Sequence, residues 1–362
     1  MAVVRQSTNM SAIALALGVS AATVSNALSG KGRVSPELVD KIRAKAAELG
    51  YVPSLTARAL RTGRTGVLGL VLPDIANPLF PQIAQAIENA AASAGYGVLI
   101  ADSRGNNNTQ TLAIQRLMER QVDGMVIVPR FGTRIADLGC PVAVIDSPST
   151  PGNTVSADHW QGGQLVAEHL VGLGHRNFVL IGANPQSNVQ NDRIGGMKSR
   201  MPKDARIEVI WIEKAEALAG PGCALGLADR IERGFTAFAA SNDLHALRAL
   251  TELQRAGVRI PDQASIVGFD DLVWSSVVSP SITTVRQNMS VIAEIAVSAL
   301  LGVIDQESPE TADVGGMAVA QRDRVPMTLI ARQTSAAVNP HHETLSLHAR
   351  TLQKIPAGEL KS

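Results

Sequence analysis

Apolar residues first recur at the three- and four-residue spacing of a helix, with Met10, Ile13, Ala14 and Leu17 on one face. Asn9 stands where a helix cap belongs and Gly18 where a helix ends. Ser20 is placed to cap a second helix over 21–28. Ser35-Pro36-Glu37 starts a third, with a cap, a proline at the first position and an acid near the positive end of the dipole. Its stripe is Leu38, Ile42, Ala46 and Leu49, and Gly50 stops it. Residues 9–50 thus read as three short helices on a core just large enough for a small domain. Residues 51–65, YVPSLTARALRTGRT, read as a linker with a helical turn or two, capped by Ser54.

Past residue 65 the pattern becomes short, continuous apolar runs. VLGLVLP (67–73), YGVLIAD (96–102), DGMVIVP (123–129) and VAVID (142–146) predict buried strands, with helices near 79–94 and 108–120 between them. A second set predicts strands at 178–182, 207–212, 235–241 and 264–271, with helices at 160–173, 189–199, 222–233 and 243–256. ITTVRQ (282–287), a helix at 289–304 and a last strand at 325–331 complete it. Such alternation predicts parallel sheets covered on both faces, here two doubly wound units of similar size. Pairs of this kind bind small molecules in the cleft between them, at the carboxyl ends of the strands. Residues 335–362 are polar with scattered leucines and read as a tail.

The chain has 362 residues, room for two or three domains, and at 3% aromatic content its cores must be aliphatic. Net charge is only +1, but it is unevenly spread. Residues 1–64 hold nine Lys/Arg against three acids, a net +6, which leaves −5 for the remainder. A basic module on a slightly acidic body is expected where one end meets phosphates. Cys140 and Cys223 cannot form a disulfide framework, fit a reduced compartment and read as small core residues. No purely apolar stretch reaches membrane-span length, so no membrane association is expected. MSAIALALGV (10–19), with Arg5 before it, could pass for the apolar part of a secretory signal. The basic side is thin, however, and the run dissolves into TVSNALSGKGR.

Two short helices joined at a glycine turn form a geometry in which the second enters the DNA major groove. GVSAATVSNALSG (18–30) suits it: small residues permit close approach, Thr and Ser donate to phosphates, and Asn reads adenine N6/N7. The competing reading is an Ala-rich packing helix. In 54–61, Leu60 sits among Arg58, Arg61 and Arg64, as an apolar wedge for a minor groove or as an ordinary solvated linker. Polar residues gather at predicted strand ends: Asp74, Asn77, Asp102, Asp146, Asn242, Asp243, Asp270 and Asp271. They could bond ligand hydroxyls or cap helices. Arg193 lies near a predicted helix start, where a cation is unfavourable, which calls for a ligand or a carboxylate partner. The chain has no GxGxxG, Walker loop, GxSxG or HExxH, and His341-His342 has no matching ligands nearby. No enzyme activity, cofactor or metal is expected.

With these pieces assembled, residues 9–334 closely resemble the LacI/GalR family of bacterial transcription regulators. GVSAATVSNALSG is similar to its GVSxxTVSRVLN signature. RVSPELVDKIRAKAAELGYVPSLTARALRTGRTGVLGLVLPDIANPLF, DGMVIVP, AEHLVGLGHRNFVLIG, SNDLHALRALTELQRAGVRIPDQASIVGFDD and SPSITTVRQNM match in order. The resemblance implies a helix-turn-helix head over 1–52, a hinge helix over 53–64 and a periplasmic-binding-protein-like core over 65–334. In that core an N-subdomain (about 65–155 and 288–320) faces a C-subdomain (about 156–284 and 321–334). It implies a cytoplasmic homodimer reading near-palindromic operator DNA, controlled by a small sugar-like effector between the lobes.

Carried across by position, Ala21, Ala22 and Asn26 fall at base contacts, and Ser20, Thr23 and Ser25 at phosphates or neighbouring groups. Arg33, Ala57, Arg58 and Leu60 complete the DNA set, Leu60 as the wedge. Asn77, Phe80, Asp146, Arg193, Asn242, Asp270 and Trp274 fall at effector contacts. Asn26 replaces the usual Arg, so the operator is expected to differ from the common one. EKAEALAGPG lacks the aromatic that often stacks on the sugar, leaving Phe80 or Trp274 for that role. The loop RFGTRIADLGCPVAV is shorter than usual. Leu345, Leu352 and Ile355 are spaced as in a heptad, but His348 breaks the run, so a tetramer is less expected than a dimer. The runner-up is a periplasmic solute-binding protein, which shares the core but has no use for Arg58, Leu60 and Arg61; a Rossmann-type enzyme is third.

Overall fold

A computed structural model of the chain describes residues 9–29, 32–51, 63–104, 106–129, 135, 138–146, 150, 152–306 and 323–338. The 54–61 helix with Ser54, Ala57, Arg58, Leu60 and Arg61, and the heptad of the tail, lie outside them. The chain divides into two compact units, 1–66 and 67–362.

In the first unit, helices α1 (Met10–Leu17), α2 (Ala21–Ser29) and α3 (Pro36–Glu48) enclose a core of Ile13, Ala14, Val24, Ala27, Ile42 and Ala46. Asn9 Oδ1 caps α1 by accepting from Ala12 N–H at 3.0 Å. Gly18 turns the chain with φ +65°, a conformation that costs a residue without a Cβ little. The first two helices meet at 108°, within the range for a helix-turn-helix. Ser20 Oγ accepts from Thr23 N–H at 3.0 Å, the expected cap. Ser35 differs: its side chain makes no cap bond, and α3 starts on Pro36 with the Ser35 carbonyl accepting from Leu38 and Val39.

The second unit begins with β1 (Val67–Leu72), α4 (Leu79–Ser93), β2 (Gly97–Asp102), α5 (Asn107–Glu119), β3 (Gly124–Ile127) and β4 (Val142–Val144). Its strands form a parallel sheet in the order β2-β1-β3-β4. After β5 (Val155–Ala157) and α6 (His159–Gly172) come β6 (Asn177–Gly182), α7 (Asn188–Arg200), β7 (Arg206–Trp211), α8 (Ile212–Ala219), α9 (Leu227–Glu232), β8 (Ala237–Ala240), α10 (Asp243–Arg255) and β9 (Ser265–Val267). These strands make a second parallel sheet, β7-β6-β8-β9. Then α11 (Val273–Val277), β10 (Thr284–Arg286), α12 (Met289–Gln306), β11 (Asp323–Val325) and β12 (Thr328–Ile330) complete the unit. β11 pairs with β5 and β12 with β10, so the chain crosses repeatedly between the lobes.

Three expected elements are corrected. The single strand 325–331 is two, broken at Pro326, because the two halves pair with different strands. The helix at 222–233 shortens to Leu227–Glu232, since Pro221-Gly222 and Gly226 at φ +68° interrupt it. IEKAEALA, which begins on the last residue of the expected strand and lies outside every expected helix, forms α8. Cys140 and Cys223 are half-buried, Cys140 packed against the core of the first sheet and Cys223 in no core cluster.

Helix α12 is long and apolar enough to cross a bilayer by composition, with hydropathy 1.6. Here Ile292, Ala293, Ala296, Val297, Leu300 and Ile304 are instead buried, and the helix packs on α4, β3, β4 and β5. Its hydrophobicity is therefore that of a core-facing helix.

Candidate functional site

In the first unit, Val24 and Ala27 turn one face of α2 into the core. That leaves Ser20, Ala21, Ala22 and Asn26 exposed, with Thr23 and Ser25 partly so. The Ser20 and Thr23 hydroxyls bond each other at 2.8 Å, which fixes both at the helix start. Gly32, at φ +88°, passes so close that a Cβ there would sit 3.2 Å from Asn26 Nδ2. Arg33 follows, exposed.

In the second unit the polar residues gather at strand ends, and Arg193 is the centre of the largest group. Its position depends on four glycines. A Cβ on Gly163 of α6 would overlap the Arg193 carbonyl, and one on Gly196 of α7 would overlap the Trp160 carbonyl. Gly162 and Gly195 are similarly hemmed in, by Met327 and Phe269 and by Trp160. Without side chains at these points α6 and α7 approach backbone to backbone, and Arg193 is carried against His159.

Arg193 is only 4% exposed, and every part of its guanidinium has a partner. Nη2 pairs with Asp270 Oδ1 at 2.9 Å, and Nη1 donates to the Ser241 carbonyl at 2.6 Å. Nε donates to His159 Nδ1 at 3.4 Å, and the plane lies 4.2 Å from the Phe269 ring centre. Burial, and then the Arg193 charge, hold the His159 pKa well below the imidazole range. The ring is therefore neutral and can accept. Of the two partners the sequence allowed for Arg193, the carboxylate is present.

Asp270 has φ +101° and Asp271 φ +52°, so consecutive aspartates face different partners. Asp270 Oδ1 also accepts from Gln287 Nε2 at 2.7 Å. Asp271 pairs with Arg286 at 2.6 Å and with Arg332 at 2.5 Å. Burial pushes the Asp271 carboxyl up, but the two arginines outweigh it and the net shift is downward. Asp243 begins α10, accepting from Thr284 Oγ1 at 2.6 Å and from Leu272 N–H at 2.7 Å. Burial, reinforced by Asp270, pushes its pKa up to about 7.

The other expected residues divide between capping and the lobe junction. Asn242 Oδ1 caps α10 through His245 N–H at 2.7 Å, and Asn77 Oδ1 accepts from Leu79 N–H at 3.1 Å beside α4. Phe80 packs, partly buried, against the main core. Asp146 accepts from Thr150 Oγ1 at 2.6 Å, and Thr150 accepts from Asn188 at the start of α7 at 3.2 Å. This joins the end of the first sheet to the helix that carries Arg193. Trp274 stands apart on α11, 45% exposed.

His159, Ser241 and Gln287 were not anticipated. His159 follows the capping Asp158, Ser241 directly precedes Asn242, and Gln287 ends ITTVRQ. Their one sequence signal was adjacency to strand or helix ends. Among the described residues no group of His, Cys, Asp and Glu could hold a metal ion.

Residues 9–54 match the lacI family of bacterial regulatory proteins, and residues 167–335 match a periplasmic binding protein-like domain. The HTH-type transcriptional regulator DegA of Bacillus subtilis is 32% identical over 289 residues, covering 76% of this chain and 85% of that protein. A ribose operon repressor of Haemophilus influenzae is 30% identical over 302 residues, covering 81% and 90%. Among solved structures, a lac repressor dimer bound to operator and the anti-inducer ONPF superposes with a TM-score of 0.71 at 25% identity, covering 92% of this chain and all of that one.

Proposed function

Because the chain belongs to the lacI family of bacterial regulatory proteins, DNA-binding transcriptional regulators rather than enzymes, we propose that it is a cytoplasmic repressor that binds a near-palindromic operator as a homodimer and answers to a small, sugar-like effector. The observation that carries this reading is the exposed face of α2 in a module of net charge +6. On this reading Asn26 reads an adenine edge, and Ala21 and Ala22 offer methyl contacts to thymine. Ser20, Thr23, Ser25 and Arg33 meet phosphates or neighbouring groups. Ala57, Arg58 and Leu60 act in the minor groove, with Leu60 as the wedge.

The effector lies between the lobes, among Asn77, Phe80, Asp146, Arg193, Asn242 and Asp270, with Trp274 at the margin. Support comes from the polar groups that converge on Arg193 and from the Asp146–Thr150–Asn188 link between the lobes. An effector acts on DNA binding only through its different affinity for the two lobe arrangements. A dimer is supported by large apolar residues left exposed on the edge strand β2 and on α5: Leu99, Ile100, Leu112 and Met118.

The test is binding of the purified protein to its own upstream DNA at two salt concentrations, with and without sugars and sugar acids. Specific, salt-sensitive binding that one compound changes is expected. Failure to bind at low salt, with sugar binding intact, would favour the solute-binding protein.

A further inference from the structure

A cavity of about 620 Å³ lies at the lobe junction, within the size range of small-molecule sites. One wall is the outward face of α4, where Gln82, Gln85 and Asn89 follow at helical spacing. The other is the crossover from Arg286 to Ser290, with Thr328 beside it. Its lining is mostly amide, hydroxyl and charge, which suits hydroxyl groups because amides both donate and accept.

The charges also point to a ligand. Asp270 and Asp271 line the cavity too, but Arg193 matches the first, and Arg286 with Arg332 the second. Arg286 spends only Nε on Asp271 and is 55% exposed. Its two terminal NH₂ groups make no hydrogen bond among the described residues. The Gln82 and Gln85 amides make none there either. One guanidinium fork therefore faces a polar cavity, the arrangement that takes a carboxylate or phosphate in two parallel bonds.

We propose that this cavity is a second binding site, which adjoins the proposed effector cleft at Asp270 and extends from it along α4, for a hydroxylated metabolite with one anionic group. Arg286 holds the anion, and the amides of α4 read the hydroxyls. One wall comes from a helix packed on the first sheet and the other from the segments that cross between lobes. A ligand here fits one lobe spacing better than another and so changes effector affinity, with an equal reciprocal effect.

The test is calorimetric titration of the full-length protein with ribose 5-phosphate, gluconate, ribose and inorganic phosphate in turn. Saturable binding of ribose 5-phosphate or gluconate is expected, and which one binds identifies the anion. Arg286→Gln should weaken it roughly tenfold or more, and Arg286→Lys less. The double change Gln85→Ala and Asn89→Ala, on exposed helix positions, should weaken it at least about threefold. That variant decides the matter if Arg286→Gln fails to fold. Asp146→Asn, in the proposed effector cleft and outside the lining of this cavity, should leave it unchanged.

The proposal fails if none of the four probes saturates at millimolar levels. It fails if inorganic phosphate binds as well as ribose 5-phosphate and gluconate does not bind, which marks an adventitious ion only. It also fails if Asp146→Asn abolishes binding while Arg286→Gln does not. Operator binding measured on the same samples is independent of these results, so failure here leaves the regulatory reading standing, and the reverse holds.

Discussion

Replacing Arg193 with methionine removes a buried guanidinium and leaves the Asp270 carboxylate, 6% exposed, without its cation. Losing one partner of a buried pair costs about 3–5 kcal/mol. The Ser241 carbonyl loses its 2.6 Å donor, which costs a further ~1–3 kcal/mol. Two effects work against this. Gln287 still donates to Asp270 at 2.7 Å, and the methionine sulfur recovers about 1 kcal/mol against the Phe269 ring. The net expectation is a loss of about 3–5 kcal/mol, which for a unit this large lowers the melting temperature by roughly 6–20 °C. Circular dichroism melts at pH 7 measure it. Adding Asp270→Asn removes the stranded charge, so the double variant should recover at least about 2 kcal/mol over the single. Calorimetry on Arg193→Met should show no effector heat, while apo operator binding persists below the melt. A stability loss under about 1 kcal/mol, or strictly additive single losses, would refute the buried-pair argument.

Asp243 holds its proton more tightly folded (about 7) than unfolded (3.8), so its contribution is complete below the unfolded value and lost as pH rises through 7. That amounts to up to about 4 kcal/mol, and Asp243→Asn should flatten the slope; parallel melting-versus-pH curves for the two proteins would count against it. Gly196→Ala forces a Cβ into the Trp160 carbonyl and should cost about 3 kcal/mol or more, with weaker effector binding. Near-native urea stability would show that α6 and α7 can part at no cost. Leu60→Ala should weaken specific operator binding far more than non-specific binding, because only kinked DNA receives the wedge; equal losses in competition assays would reject that.

The repeating strand–helix order was legible because buried parallel strands are short, continuous apolar runs bounded by polar ends. VLGLVLP and DGMVIVP announce β1 and β3 in this way. Helix α8 was not legible: IEVIWIEKAEALA passes from strand to helix without a turn residue, and only tertiary packing sets the change at Ile212. In the site, Arg193 stood out because a cation near a helix start demands a reason. His159 and Gln287 did not, since their importance comes from what folding brings beside them. Asn242 and Asn77 show the limit of reading polar strand ends, because one side chain is the cap of α10 and the other turns the chain into α4.

The glycine-paired crossing of α6 and α7 bears on how such a protein can be re-engineered. On the proposed placement of the effector, preference is tuned by changing side chains around the cleft, and a library built on distance from Arg193 would include Gly163 and Gly196. Nearly every member altered there would fail before its preference could be tested, since the added atom meets backbone that cannot rotate away. Diversity placed at Asn77, Phe80 and Asp146 draws instead on the end of the opposite sheet, where the crossing is untouched. The usable search space for new specificity is therefore lopsided, wide on one lobe and narrow on the other.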